Sequence, residues 1–356
     1  MNSRSRSVVA LAIVFVLAAA LVAGCTATPS TPSGTAAPAK AKLKTAMVTD
    51  VGGLGDKSFN DLSYEGLKKA QTDLGVDIKV LESREIADYE TNISQLANAG
   101  YSPIFAVGFL MTDTVSKLST QFPNVNFGGV DEFFTTPSKN VVGLNFKEQE
   151  GCYLAGIVAA MATTDKTLDA RMNPQKVIGF VGGLNVPLIQ KFEAGFKAGV
   201  KSVDPSIKVI SLYAGSFNDQ AKGKELGLSE INQGADVVFA AAGATGEGTF
   251  KACQESKKAL FIGVDADQFN TIKNSGDTIL TSVVKRVDVA VFDTVKDAVG
   301  GTFPGGQNKV FGLKEGGMNL APFHNFETKV PKAIKDAVAK AKAGIIGGSI
   351  VVPDKL

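Results

Sequence analysis

Val177-Ile178-Gly179-Phe180-Val181-Gly182-Gly183 is an apolar run that ends in two glycines, and it decides the fold that we expect. A second apolar run, residues 45–49, leads in the same way to Gly52-Gly53 near the start of the chain. Each run is followed by a segment of helix length with apolar residues at helical spacing. Strand, glycine turn and helix in this order are typical of a βαβ unit. Their recurrence predicts two lobes, each built on a parallel sheet.

The same alternation of apolar runs and helix-length segments continues along the chain. Tyr89, Ile93 and Leu96 recur at helical spacing, and Gly100 follows them as a stop signal. Right-handed connections between parallel strands place such helices on both faces of a sheet. We therefore predict an α/β fold, whose further strands lie at residues 78–81, 104–107, 125–130, 209–213, 237–241 and 261–264.

The first 25 residues have the pattern of an export signal. Arg4 and Arg6 give a positive start, residues 8–20 are almost entirely apolar, and Leu21-Val22-Ala23-Gly24-Cys25 closes the segment. That closing run resembles the lipobox of bacterial lipoproteins, in which the cysteine carries a diacylglyceryl group and becomes the new N-terminus. We expect a signal peptide over residues 1–24 and lipidation of Cys25. An ordinary signal peptide that contains a cysteine is the alternative.

Composition narrows the class of protein further. Residues 25–42 contain mainly Thr, Pro, Ser, Ala and Lys, which cannot bury enough apolar surface to fold, so we expect a flexible tether. The 356 residues exceed what one hydrophobic core usually supports, which favours two lobes. The 37 basic and 35 acidic side chains become 35 of each when Arg4 and Arg6 are removed. That balance does not provide the basic surface typical of nucleic-acid binding.

The most distinctive loop follows the first strand and has the sequence Asp50-Val51-Gly52-Gly53-Leu54-Gly55-Asp56-Lys57-Ser58-Phe59-Asn60. A phosphate-binding P-loop needs glycine directly before its lysine, but Asp56 stands there and would repel phosphate. We therefore expect an uncharged ligand. Ligands of open α/β sheets bind beyond the carboxyl ends of the strands, so two facing sheets would place both glycine turns at one cleft. A structural role, with Asn60 capping the next helix and Phe59 filling the lobe, is the alternative.

A set of short motifs resembles the basic membrane protein (BMP) family, the nucleoside-binding lipoproteins of ABC transporters. Asp56-Lys57-Ser58-Phe59-Asn60 is similar to the opening signature of that family. The other matching blocks follow in the family's order from about residue 43 to 343: Gly129-Val130-Asp131, Glu150-Gly151-Cys152-Tyr153-Leu154-Ala155-Gly156, Phe192-Glu193-Ala194-Gly195-Phe196, Gly215-Ser216-Phe217-Asn218-Asp219, Gly234-Ala235-Asp236, Gly263-Val264-Asp265-Ala266-Asp267-Gln268 and Thr281-Ser282-Val283-Val284-Lys285.

The resemblance implies a type I periplasmic-binding-protein fold, in which two Rossmann-like lobes are joined by a hinge of three crossovers. These crossovers would fall near Asn145, Ser282 and Gly312. One lobe would then contain residues 43–145 and 283–312, and the other residues 146–282 and 313–356.

The resemblance also implies where a nucleoside would lie. Phe59 and Phe192 would face the two sides of the base, and Asp131 would hydrogen-bond the base edge. Asp265 and Lys285 would hold the ribose hydroxyls. The other residues expected nearby are Asp50, Ser58, Asn60 and Gly243.

Each of these residues has a structural alternative. Asp131 and Asp265 both end strands, where aspartate often caps the next helix, although Asp267 can serve as the local cap after Asp265. Lys285 also follows a strand and could lie on a solvated face. Phe192 belongs to a helical stripe with Phe196, and such a stripe usually faces the core.

The leading hypothesis is an extracytoplasmic, membrane-anchored and monomeric solute-binding lipoprotein. It would capture nucleosides, with purine nucleosides favoured, by lobe closure and deliver them to an ABC permease, without a cofactor, a metal or catalysis. A sugar or an autoinducer is the alternative ligand on the same fold. A secreted nucleoside hydrolase lacks the usual histidine and serine motifs, and a transcriptional regulator would need a DNA-binding headpiece. We expect Cys152 and Cys253 to be buried free thiols.

Overall fold

The computed structural model describes residues 42–356. The expected signal peptide, Cys25 and almost all of the expected tether lie outside these residues. Within them the chain forms two six-stranded sheets, and all strand pairs are parallel except that of β10 with β12. Helices connect most of the successive strands, and this arrangement confirms the predicted α/β fold with two lobes.

The first sheet has the strand order β11-β5-β4-β3-β1-β2. Its strands and helices up to the first crossing are β1 (Lys44–Thr49), α1 (Phe59–Leu74), β2 (Asp77–Leu81), α2 (Asp88–Asn98), β3 (Ile104–Val107), α3 (Thr112–Gln121), β4 (Phe127–Val130) and β5 (Val141–Phe146). The predicted strand at 125–130 begins two residues later, at Phe127, and β5 was not predicted.

The second sheet has the order β12-β10-β9-β8-β6-β7. Its elements are α4 (Glu148–Thr163), β6 (Val177–Gly182), α5 (Pro187–Val203), β7 (Lys208–Tyr213), α6 (Gln220–Asn232), β8 (Ala235–Ala241), α7 (Ala244–Ser256), β9 (Leu260–Asp265), α8 (Gln268–Thr271) and β10 (Ile279–Lys285). The chain then adds α9 (Val287–Val299), β11 (Gln307–Phe311), β12 (Met318–Leu320) and α10 (Lys332–Ile346).

The chain passes between the lobes after β5, after β10 and after β11. The second passage differs from the expected position near Ser282. β10 continues to pair with β9 through Val284 and with β12 through Lys285, so the chain leaves the second sheet only at Arg286. Residues 283–285 therefore belong to the second sheet, and the expected division between residues 282 and 283 is wrong by this short segment.

Close packing of α4 against α5 fixes one wall of the second lobe. A Cβ atom placed on Gly156 would lie 2.2 Å from the carbonyl oxygen of Phe196, and one on Gly199 would lie 2.1 Å from that of Tyr153. No side chain fits at these distances, so the two helix backbones touch directly. This contact holds the first turn of α4 beside the part of α5 that carries Phe192.

The core of each lobe is apolar. Both cysteines in the described part of the chain lie in such a core, Cys152 in α4 and Cys253 in α7. Cys152 and Cys253 are fully buried and free, as expected. Phe180, Phe196 and Phe239 form an aromatic cluster behind the second sheet, with ring centroids 5.1–6.4 Å apart. These rings contribute large buried areas at a fixed geometry, which keeps the second sheet rigid behind the cleft.

Candidate functional site

A cleft of about 560 Å³, including its opening, lies between the two lobes. The lining residues come from the carboxyl ends of strands in both sheets, the position at which open α/β sheets bind ligands. All predicted site residues except Ser58 line it, and the full set is Asp50, Gly52, Asp56, Phe59, Asn60, Gly108, Phe109, Asp131, Leu188, Ile189, Phe192, Phe217, Ala241, Ala242, Gly243, Ala244, Val264, Asp265 and Lys285.

The loop before α1 is organised by Asp56. Its carboxylate accepts hydrogen bonds from the backbone N–H groups of Ser58, Asn60 and Asp61, at 3.0, 2.8 and 3.1 Å. Asp56 therefore caps α1, and the alternative in which Asn60 is the cap is wrong, because Asn60 already lies inside the helix. Burial raises the pKa of Asp56 to about 7, although these three hydrogen bonds oppose the shift.

Asn60 instead turns its amide towards the cleft floor. Its Nδ2–H donates to Asp50 Oδ1 at 2.8 Å, and the same oxygen accepts the backbone N–H of Gly52 at 2.8 Å. Burial raises the pKa of Asp50, against the effect of these two hydrogen bonds. The first lobe thus offers the ligand the carboxyl group of Asp50, which the N–H groups of Asn60 and Gly52 hold in one orientation.

Lys285 lies at the centre of the charged part of the cleft. Its Nζ is 2.5 Å from Asp131 Oδ2 in the first lobe and 3.0 Å from Glu148 Oε1 at the start of α4. An ammonium group has three N–H donors, and among the described residues Nζ donates a hydrogen bond only to Asp131, so donor capacity remains for a ligand. Burial opposes the charge, but the carboxylates of Asp131, Glu148 and Asp265 outweigh it and raise the pKa of Lys285.

Asp131 and Glu148 both contact this ammonium group, and Glu148 also lies 3.5 Å from Lys191 Nζ. Burial and the neighbouring Glu148 charge raise the pKa of Asp131 to about 7, while Lys285 acts in the opposite direction. Asp265 is also raised by burial. Four carboxyl groups line the cleft, those of Asp50, Asp56, Asp131 and Asp265, against one ammonium group, that of Lys285; this surplus of acceptors disfavours anionic ligands and favours ligands with many hydrogen-bond donors.

Asp131 and Asp265 both have a left-handed backbone, with φ of 63° and 61°. Aspartate tolerates this conformation better than most residues, and such strain is typical of functional sites. Asp265 Oδ2 accepts the hydroxyl hydrogen of Ser58 at 2.6 Å. Ser58 is fully buried behind the cleft, so it orients Asp265 and does not itself line the space.

Aromatic rings supply the flat apolar surfaces. Phe59 begins α1 in the first lobe, and Phe192 comes from α5 in the second; their centroids lie 5.3 and 5.5 Å from Lys285 Nζ. Phe192 is only 3% exposed, so it is both a core residue and part of the cleft wall. Phe109 and Phe217 meet edge to face across the lobes, with centroids 6.4 Å apart.

Gly243 joins β8 to α7 with φ of 55°, a conformation that favours glycine. It gives the cleft a stretch of wall without a side chain.

The sequence analysis missed Phe109, Phe217 and Glu148. Phe109 directly follows Gly108 after β3, so the rule that ligands bind at carboxyl ends of strands could have found it. Phe217 lies within one of the motif blocks. Glu148 opens an apolar helix, and no local signal distinguishes it.

The fold and this interlobe cleft are those of a solute-binding protein of the type I periplasmic-binding class. Residues 43–354 match the family model Bmp, described as "ABC transporter substrate-binding protein PnrA-like". The chain belongs to this family, and it is an ABC transporter substrate-binding protein.

Named relatives and a solved structure agree with this assignment. The "ABC transporter nucleoside-binding protein BmpA" of Lactococcus lactis is 38% identical over 98% of this chain and 99% of its own length. An "uncharacterized lipoprotein" of Pyrococcus abyssi is 34% identical over 87% of this chain and 75% of its own length. The crystal structure of an ABC transporter solute-binding protein from Aeropyrum pernix superposes with a TM-score of 0.77 at 28% identity, covering 87% of this chain and 94% of that one.

The search for membrane-spanning segments covered residues 42–356. None of the helices there is both long enough and apolar enough to cross a bilayer.

Proposed function

We propose that this protein captures nucleosides, with purine nucleosides favoured, and delivers them to an ABC permease. The observation that carries the proposal is the arrangement around Lys285: two phenylalanine rings, one from each lobe, flank an ammonium group that keeps donor capacity beyond its hydrogen bond to Asp131. A nucleoside combines a flat neutral ring with a polyhydroxyl sugar, and this cleft offers a surface for each. The printed name of the Lactococcus lactis relative supports the same ligand class.

In the proposed complex, Phe59 and Phe192 stack on the two faces of the base. Stacking on an aromatic side chain is worth about 1–3 kcal/mol per base, and a purine gains more than a pyrimidine because its ring system is larger. Asp131 accepts a hydrogen bond from the base edge, while it remains paired with Lys285. Its single unpartnered oxygen among residues 42–356, Oδ1, is the atom available for that bond.

Asp265 and the free N–H of Lys285 hold the ribose hydroxyls, and Asp50 and Asn60 complete the polar floor. A charged acceptor paired with a charged donor binds hydroxyl groups strongly when water is excluded. A ligand without the 2′-hydroxyl would leave these buried groups unpaired, so 2′-deoxynucleosides should bind much more weakly. The surplus of acceptors in the cleft also disfavours the phosphate of a nucleotide.

The proposed setting is the outer face of the cell membrane, where lipid on Cys25 would anchor a monomer. The Pyrococcus abyssi relative that is named a lipoprotein supports this part of the proposal. Closure of the lobes around the nucleoside expels water and presents both lobes to the permease in one geometry.

Isothermal titration calorimetry of protein refolded without ligand tests the proposal. We expect heat with inosine, guanosine and adenosine, less with cytidine, and very little with 2′-deoxyinosine. Free ribose distinguishes the sugar alternative, because a nucleoside site loses its base stack and should bind ribose far more weakly than inosine. Tight ribose binding, or no heat with any nucleoside, would refute nucleoside capture.

A further inference from the structure

Two hydrogen bonds connect the two lobes beside the cleft. The carbonyl oxygen of Lys57, in the loop before α1, accepts Thr271 Oγ–H at 3.0 Å and Gln268 Nε2–H at 3.3 Å. Both donors belong to α8 of the second lobe. Neither side chain lines the cleft.

We propose that Gln268 and Thr271 form a clasp on the Lys57 carbonyl, and that this clasp sets how long a bound solute stays in the cleft. The inference rests on the proposed function for its ligand but not for its geometry. Donor and acceptor belong to different lobes, so these two bonds exist only while the lobes are closed. Their free energy therefore adds to closure and not to the stability of either lobe.

The acceptor side of the clasp is preorganised. Lys57 has a left-handed backbone with φ of 54°, in the turn that precedes α1. The backbone N–H of the next residue, Ser58, donates to Asp56 at 3.0 Å within the same lobe, and Ser58 lies directly before Phe59. Opening the clasp would therefore free the same loop that presents Phe59 to the ligand.

The donor side is held just as firmly. Gln268 is 2% exposed, and its Oε1 accepts the backbone N–H of Val264 at 3.2 Å, which leaves its Nε2 pointing to Lys57. Phe269 stacks on His324 with centroids 4.0 Å apart, and His324 Nε2 lies 2.7 Å from Asp267 Oδ2. α8 is thus braced against its own lobe and moves with that lobe.

Two other hydrogen bonds between the lobes differ from this clasp. Ser58 Oγ–H donates to Asp265, which itself lines the cleft, and Asn218 Nδ2–H donates to the carbonyl of Val51 at 3.3 Å in an exposed position. Because α8 supplies two donors to one carbonyl, removal of either should mainly accelerate opening. One neutral hydrogen bond is worth about 0.5–1.5 kcal/mol, which corresponds to about a two- to tenfold change in rate.

The test compares Thr271→Val, which removes the hydroxyl from an exposed residue, with Thr271→Ser, which keeps it. Thr72→Val is the matched control, since Thr72 donates its hydroxyl to Lys68 within one lobe. Stopped-flow kinetics with inosine should show dissociation about two- to tenfold faster in Thr271→Val, with unchanged association, and wild-type rates in Thr271→Ser and Thr72→Val. Gln268→Met/Thr271→Val should dissociate faster still.

Small-angle X-ray scattering without ligand provides the second readout. We expect a larger radius of gyration for Thr271→Val than for wild type and Thr271→Ser. Failure of nucleoside binding in wild type would refute the proposed ligand, and the scattering comparison would still decide the clasp. Wild-type dissociation or wild-type scattering in Thr271→Val, or an effect on association alone, would overturn the clasp.

Discussion

The ends of β4 and β9 are built alike and used differently. Gly-Val-Asp stands at both ends, with Asp131 directly after β4 and Asp265 as the last residue of β9; both aspartates are left-handed, and both strands hold the third place in their sheet. In each lobe a buried side chain then folds back over the strand glycine: a Cβ on Gly129 would lie 2.8 Å from Glu132 Oε2, and one on Gly263 would lie 2.6 Å from Gln268 Oε1.

The two folded-back side chains, Glu132 and Gln268, differ in their hydrogen bonding. Neither carboxyl oxygen of Glu132 has a hydrogen-bond partner among residues 42–356, and burial, with the charge of Asp131, raises its pKa well above the usual range. Burial therefore disfavours the charged form of Glu132, whose side chain packs without a hydrogen bond among the described residues. Gln268 uses both ends of its amide, one within its lobe and one across to Lys57. The same backbone device serves packing in one lobe and closure in the other.

Removal of the positive charge of Lys285, which lies beside Asp131 at the end of β4, should have the largest effect on stability and binding. In Lys285→Met, the buried carboxylates of Asp131 and Glu148 lose their shared partner, and breaking a buried pair in this way costs about 3–5 kcal/mol. We expect the free energy of unfolding in urea to fall by that amount and inosine binding to be lost. Lys285→Met/Asp131→Asn should recover stability but not binding. Wild-type stability in Lys285→Met would break the comparison.

The β9 end should affect the ligand more than the fold. Asparagine at position 265 still accepts the Ser58 hydroxyl but loses its charge, and a hydrogen bond to a charged group is worth about 1.5–3 kcal/mol. We therefore expect Asp265→Asn to weaken inosine binding by about 10- to 100-fold in calorimetry. For 2′-deoxyinosine, which lacks the 2′-hydroxyl, the same substitution should weaken binding by a much smaller factor. Equal losses for both nucleosides would show that Asp265 does not hold the sugar.

Exchange of the two folded-back residues tests their difference directly. Folding raises the pKa of the Glu132 carboxyl group. Its contribution to the free energy of unfolding is therefore fully present below the pKa of the unfolded chain, about 4.3, and is lost as the pH rises above that value. Glu132→Gln removes that loss, so its unfolding free energy should gain on wild type by up to about 1.4 kcal/mol for each pH unit above 5.

Gln268→Glu places an acid at the matching position and should lose stability relative to wild type over the same pH range. Urea unfolding at pH 5, 6, 7 and 8 measures both variants. Parallel pH profiles for Glu132→Gln and wild type would show that Glu132 is ionised in the fold, and the contrast between the lobes would disappear.

The smallest expected effect is the pH dependence of binding. Asp131 has a pKa of about 7 and faces Lys285, Glu148 and Asp265, so a fall in pH from 8 to 6 protonates it and weakens its pairing with Lys285 across the lobes. Inosine should therefore bind a few-fold more weakly at pH 6 than at pH 8. Asp131→Asn should flatten this profile, and an unchanged slope in that variant would assign the dependence to another group.

The sequence was informative where function depends on strand ends. The resemblance of Gly129-Val130-Asp131 and Gly263-Val264-Asp265 to the family's motifs implied that both aspartates face the ligand, and both line the cleft, where carboxyl ends of parallel strands meet at one edge. The sequence could not identify Asp56 as the cap of α1, since Asp56, Ser58 and Asn60 are all capping residues and only the helix start separates them.

Contacts between the lobes were beyond sequence reasoning altogether. Asp131 reaches Lys285 only because the two lobes close on each other, and Thr271 reaches Lys57 only in the same closed geometry. Neither contact has a local pattern, since each depends on the angle between two bodies that are far apart in the chain. The position of Arg286 as the second crossing depended in the same way on pairing with β12.

The direct backbone contact between α4 and α5 limits how this cleft can evolve. Gly156 and Gly199 leave no room for a methyl group, so α5 can neither shift nor rotate to retreat from a bulkier solute without breaking that contact. Substitutions are therefore not expected to move the wall that carries Phe192. Mutational routes to new cargoes should instead run through substitution of side chains on the opposite wall, such as Phe59 at the start of α1.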